Sequence, residues 1–138
     1  METTVGRSLA GILAGVVTAF VLVLAIESAG LPLFPPPAGM DPLDTESIRQ
    51  HLSEIHPGSF VMVLVAWTAA AIAGPWVARR VAGDAPAWPS LSVALLFLAL
   101  CVYNLVVVPS PLWMKVAAIV LVPIATWLGF RIPIRRTA

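Results

Sequence analysis

Glu27, Asn104 and Lys115 each interrupt a different long apolar run of this 138-residue chain, and they are the residues from which chemistry could most readily be built. A carboxylate, a carboxamide or an ammonium within hydrocarbon is costly unless it is partnered, and polar groups at such positions mark functional sites by default. Lys115 is the natural cation for Glu27, and Asn104, which both donates and accepts, can bridge the two or line a cavity between helices. Helical rise puts Glu27 ~12 Å, Asn104 ~7 Å and Lys115 ~9 Å from the middle of their runs, all toward the same side. Tyr103 adjoins Asn104 in the chain. One reading is a polar pocket opening outward, with Glu27, Asn104, Lys115 and Tyr103 holding a lipid headgroup, an ion or a small polar solute. The other is an interhelical clamp, with Lys115 extended to the surface along its own methylenes. Hydrogen bonds of this kind average only ~0.6 kcal/mol in membranes, a weak stabilising reason to keep them. Charge near the interface is nevertheless cheap, which favours the clamp.

Other chemistry is less well supplied. His51, Glu54, His56, Asp41 and Asp44 can ligate metals, but their spacing matches no HExxH or paired-histidine pattern, so no metal and no cofactor is expected. Cys101 is the single cysteine, set within an apolar run and without electropositive neighbours, and reads as a small core residue. The chain has no glycine-rich phosphate loop and no nucleophile elbow, and its basic residues are explained by membrane topology rather than by nucleic acid.

The elements that must position these groups are four apolar stretches, at about 6–31, 60–77, 91–108 and 112–130. Each approaches or exceeds the ~18 to 20 residues with which a helix crosses a ~30 Å hydrocarbon core. Hydrophobic residues make up 59% of the chain, charged ones 11%, and mean hydropathy is +0.95, more apolar surface than a soluble domain of this size can bury. The expected fold is therefore all-α: a single integral membrane four-helix bundle over residues 1–138, with the lipid bilayer as its solvent. Arg7, Arg79, Arg80, Arg131, Arg135 and Arg136 flank the stretches on one side, against Arg49 and Lys115 on the other. That asymmetry predicts both termini in the cytoplasm and the 32–59 loop on the outer face. The run Leu9–Ile26 exceeds the usual length of a signal-peptide core, so the first stretch is expected to stay as a span.

Small residues recur every four positions at Gly11, Gly15 and Ala19 in the first stretch and at Ala66, Ala70 and Gly74 in the second. Such stripes let backbones approach closely, and the two are expected to pack on each other rather than on a second copy. Pro75 and Pro123 each withhold one helical hydrogen bond, from the carbonyls of Ala71 and Ile119, with Thr126 placed to help. Trp76, Trp88, Trp113 and Trp127 sit near the ends of the stretches as an aromatic belt, whereas Trp67 lies inside one and reads as a packing residue. In the loop, Pro32-Leu33-Phe34-Pro35-Pro36-Pro37 predicts an extended segment. A short amphipathic surface helix follows, capped by Asp44 or Thr45, with Ile48, Leu52 and Ile55 on its apolar face and His56-Pro57-Gly58 ending it.

The run Leu33-Phe34-Pro35-Pro36-Pro37-Ala38-Gly39-Met40-Asp41-Pro42, with Ala78-Arg79-Arg80 and Pro109-Ser110-Pro111-Leu112-Trp113, resembles small uncharacterised bacterial four-span membrane proteins. The resemblance implies a bacterial inner membrane and no particular activity. The function favoured by the sequence is an accessory or scaffold protein packing on itself, as a homo-oligomer, or on a larger membrane complex. The alternative is an outward-facing binding or transport module using Glu27, Asn104 and Lys115.

Overall fold

Backbone amides in so apolar a chain have to be satisfied within their own segment, and helices do this. The computed structural model describes residues 2–83 and 87–133, and among them it is all-helical. The elements are α1 (Glu2–Gly30), α2 (Thr45–His51), α3 (Pro57–Ala82), α4 (Trp88–Val107) and α5 (Leu112–Arg131). All but α2 are long and apolar enough to cross a membrane. The 20 residues of α4 and of α5 rise ~30 Å, one hydrocarbon thickness, while the 29 of α1 rise ~44 Å.

Helix α3 is the centre of the arrangement: α1, α4 and α5 all pack on it, whereas α1 and α5 do not pack on each other. The antiparallel α1–α3 contact is the most extensive. A Cβ added to Gly11 would sit 2.5 Å from the Ala78 carbonyl oxygen, and one on Gly15 would sit 2.6 Å from that of Gly74. Ala19 meets Gly74 across the same seam, and Ala66, Ala70 and Ala78 are fully buried. Only hydrogen at the two glycines permits this approach. Val93 of α4 wedges in where the three helices meet, against Gly15 and Gly74. On the other side of α3, Gly129 of α5 lies against the backbone of Ile72. The half nearer the 31–56 loop has larger side chains: Phe60, Leu64, Trp67, Met114 and Val122 form its core, together with the buried free thiol of Cys101.

The prolines inside α3 and α5 are handled differently from the sequence expectation. Thr126 donates to the Val122 carbonyl at 2.8 Å, not to Ile119, because a hydroxyl on a helix reaches one turn back and no farther. Pro75 is buried, and Ser90 in the first turn of α4 donates to its carbonyl at 2.8 Å, fastening α4 to α3. At the end of the helices remote from the loop, Arg79 donates to the Phe130 carbonyl at 3.0 Å, closing the last turn of α5 with a cation. Arg80 lies over Trp76 and Arg131 over Trp127, a basic and aromatic rim. Arg135 and Arg136 lie outside the described residues.

Asp44 is the N-cap of α2, accepting from the Glu46 amide at 3.1 Å. His56-Pro57-Gly58 does not close the short helical segment. It opens α3, with His56 as N-cap accepting from the Gly58 amide at 3.0 Å and Pro57 in the first turn. Proline breaks a helix that precedes it and starts one that follows, since its missing N–H is no loss at the first helical position. The segment after α2 ends in turns, where Leu52 and Ile55 pack against the core.

Candidate functional site

Phe34 organises the loop end of the molecule. The carbonyl of Gly30, left free as α1 terminates, accepts from the amides of Leu33 at 3.1 Å and Phe34 at 2.8 Å, so the chain turns sharply over the end of α1. The Phe34 ring then lies across Gly58, where any Cβ would collide with it, and stacks on His56 at 4.8 Å between centroids. Ser59 donates to the Phe34 carbonyl at 3.5 Å, the outer limit of a hydrogen bond. These contacts hold the start of the proline run against the first turn of α3. Beyond it, Asp41 accepts from the Leu43 amide, and its own N–H donates to Ser47, which shapes the return toward α2.

The loop so anchored roofs a cavity of about 190 Å³ between the end of α1 and the start of α3. Glu27 and Gly30 line it from α1, and Ser59, Met62 and Val63 from α3. The roof consists of Phe34, Pro36, Met40 and Pro42, with Ile55 at one side. Glu27 is its one ionisable lining group. Among the described residues no side chain donates to that carboxylate, and the only ion pair is the exposed Arg49–Glu46 pair at 3.3 Å.

Asn104 stands elsewhere. It lines a separate apolar groove of about 220 Å³ between α1, α3 and α4, walled by Phe20, Val23, Trp67, Phe97 and Leu100. Tyr103, its neighbour, is 65% exposed on the outside of α4. Lys115 is half-buried in the first turn of α5 and lines neither space. No hydrogen bond or ion pair joins any two of Glu27, Asn104, Lys115 and Tyr103 among the described residues. Glu27 is thus brought together with the loop and the start of α3, and not with α4 or α5. Of the loop residues with metal-ligating side chains, His51 has Nδ1 2.8 Å from the Ser47 carbonyl and His56 is occupied as a helix cap. No group of three such residues gathers among those described.

Phe34, Ser59 and Met62 are the site residues that sequence reading passes over. Phe34 carried a signal, as the one aromatic residue in a proline run and so the one able to dock. The other two look like ordinary members of a helix until the loop is laid over them. What remains is one carboxylate set among apolar and aromatic side chains. No protein-family model, curated protein or solved structure matches this chain, so its function is read from its own geometry.

Proposed function

We propose that the chain is a multi-pass protein of the bacterial inner membrane that works as a small outward-facing binding module. Its four long helices cross the bilayer as a bundle with both termini in the cytoplasm, and the 31–56 loop with α2 rests on the outer face. The basic rim of Arg79, Arg80 and Arg131 supports that orientation. The observation that carries the binding reading is the partly roofed cavity at Glu27: a half-buried carboxylate near the outer interface, beneath a loop tied down at Phe34 and without a partner among the described residues. Asn104 and Tyr103 offer a second polar point at the same face, and Lys115 extends to the headgroups.

Native mass spectrometry of the protein released from mild detergent tests this, with wild type beside Met40→Trp, which fills the cavity from its roof. A bound species seen in wild type and lost in the variant is the expected result. Identical apo spectra for both proteins overturn the reading.

A second reading, an accessory subunit held in a larger assembly or homo-oligomer, is favoured by one specific observation. Tyr103 and Asn104 lie exposed on α4 beside an apolar groove, a place where a neighbouring helix finds both a polar handle and a cleft. Asn104→Leu then lowers the assembly size on native gels of solubilised membranes, whereas unchanged migration removes this reading.

A further inference from the structure

We infer that the Glu27 cavity receives an organic ammonium group borne on a compact apolar body. The inference rests on the binding reading above and names the ligand's chemistry.

Consider what faces the carboxylate. From α1 there is Glu27 alone, and from α3 the one polar side chain is Ser59, whose hydroxyl is directed to the Phe34 carbonyl. The loop contributes Phe34, prolines and Met40, none of them charged. His56 lies under Phe34 but is engaged as a helix cap, and Lys115 belongs to a helix that does not pack on α1. A cation that satisfies Glu27 therefore comes from outside the described chain.

The walls decide which cation. Calcium takes six to eight oxygen ligands and magnesium an octahedral set, and one carboxylate with one engaged hydroxyl falls far short of either. An alkylammonium has a different need, a single counter-charge and apolar surface for its carbon atoms. Phe34, Ile55 and Met62 supply that surface. At about 190 Å³ the cavity lies below the ~300 Å³ at which drug-sized sites begin, so the ligand is small or presents only its head.

The charge of the loop is compatible with a cation. The loop carries Asp41, Asp44, Glu46 and Glu54 against a single arginine, and that arginine is paired with Glu46. A loop of net negative charge draws cations to this end of the molecule and repels anions. Two sources share this chemistry: a free amine, or the ammonium headgroup of a lipid in the outer leaflet.

The test uses the whole protein in maltoside micelles, which bring neither charge nor ammonium. Benzyltrimethylammonium is titrated by calorimetry, with benzyl alcohol as the uncharged probe, into wild type, Glu27→Gln and Glu27→Asp. The expected result is binding of the cation to wild type and to Glu27→Asp, weakened by about tenfold or more in Glu27→Gln, with the alcohol insensitive to both substitutions. Thermal melting of the three proteins shows that each is folded. Phosphatidylethanolamine added to the micelles separates the sources: retention in native mass spectra, reversed by benzyltrimethylammonium, identifies the headgroup, and cation binding without lipid retention identifies a free amine. Equal binding of both probes to wild type and Glu27→Gln overturns the ammonium site while leaving a binding cavity. Failure of the cation to bind a protein that still shows a Met40-sensitive adduct overturns it too. Absence of every bound species removes the inference and the binding reading together.

Discussion

The α1–α3 seam and the loop end meet the same requirement, joining the first two long helices, by opposite means. Along the seam, glycine and alanine bring two backbones to the closest distance hydrogen atoms allow, and no space is left between Gly15 and Gly74. At the loop end Gly30 of α1 still meets the Met62 side chain, but a cavity beside Glu27 and Met62 is covered by a proline-rich segment pinned at Phe34. Space is therefore distributed unevenly along one helix pair. Close packing supplies rigidity in the half near the termini, and the half near the loop keeps a chamber whose shape depends on a few anchoring contacts. Between the two helices, 39% of the most apolar stretch of α3 is buried against 17% of that of α1, as the central place of α3 requires.

The severest way to break the seam is Gly15→Leu. Its side chain has to displace the Gly74 backbone, and we expect a loss of about 3 kcal/mol or no folded species at all. Thermal unfolding in detergent measures it, and Gly6→Leu, at a position with nothing within 4 Å, is the matched control that stays at wild-type stability. Ser90→Ala removes the hydroxyl that reaches the buried Pro75 carbonyl, and about 1 kcal/mol is lost by the same measurement. Asp44→Ala acts on the other region, where loss of the α2 cap costs about 1 kcal/mol locally. Hydrogen exchange of the Glu46 and Ser47 amides accelerates, while the global melting temperature holds. Least of all, Leu43→Ser changes stability by under about 0.5 kcal/mol, because Leu43 is 95% exposed at the loop tip. A global shift from either loop substitution contradicts the separation of the two regions.

The four long apolar segments were legible in the chain, because lipid-compatible length and composition are local properties. The cap of α2 was legible as Asp44 or Thr45, and the structure uses Asp44, whose side chain bonds two residues on. The onset of α3 was not: His56-Pro57-Gly58 reads as a helix stop or a helix start, and the structure uses it as a start, with His56 as the cap and Phe34 packed over Gly58. The site shows a deeper limit. Helical rise gives the height of a residue along the bundle axis, and it places Glu27, Asn104 and Lys115 in one layer. It says nothing of the direction each one takes around that axis. Direction is set by which helices touch, and with α3 central, Glu27 comes to the loop, Asn104 to a different groove, and Lys115 to a helix that does not meet α1.

The most extensive helix contact in the molecule joins the two long helices that are made first. As α3 leaves the ribosome, everything the seam needs, from Gly11 to Ala82, has already been synthesised, and the connecting loop is short enough to fold the pair back on itself. A nascent chain can complete this hairpin and its chamber before α4 exists. Ser90 and Arg79 then act as fasteners for later arrivals, the one drawing in α4 and the other holding the end of α5. If assembly follows the order of synthesis, a chain truncated after α3 retains the seam as a biogenesis intermediate.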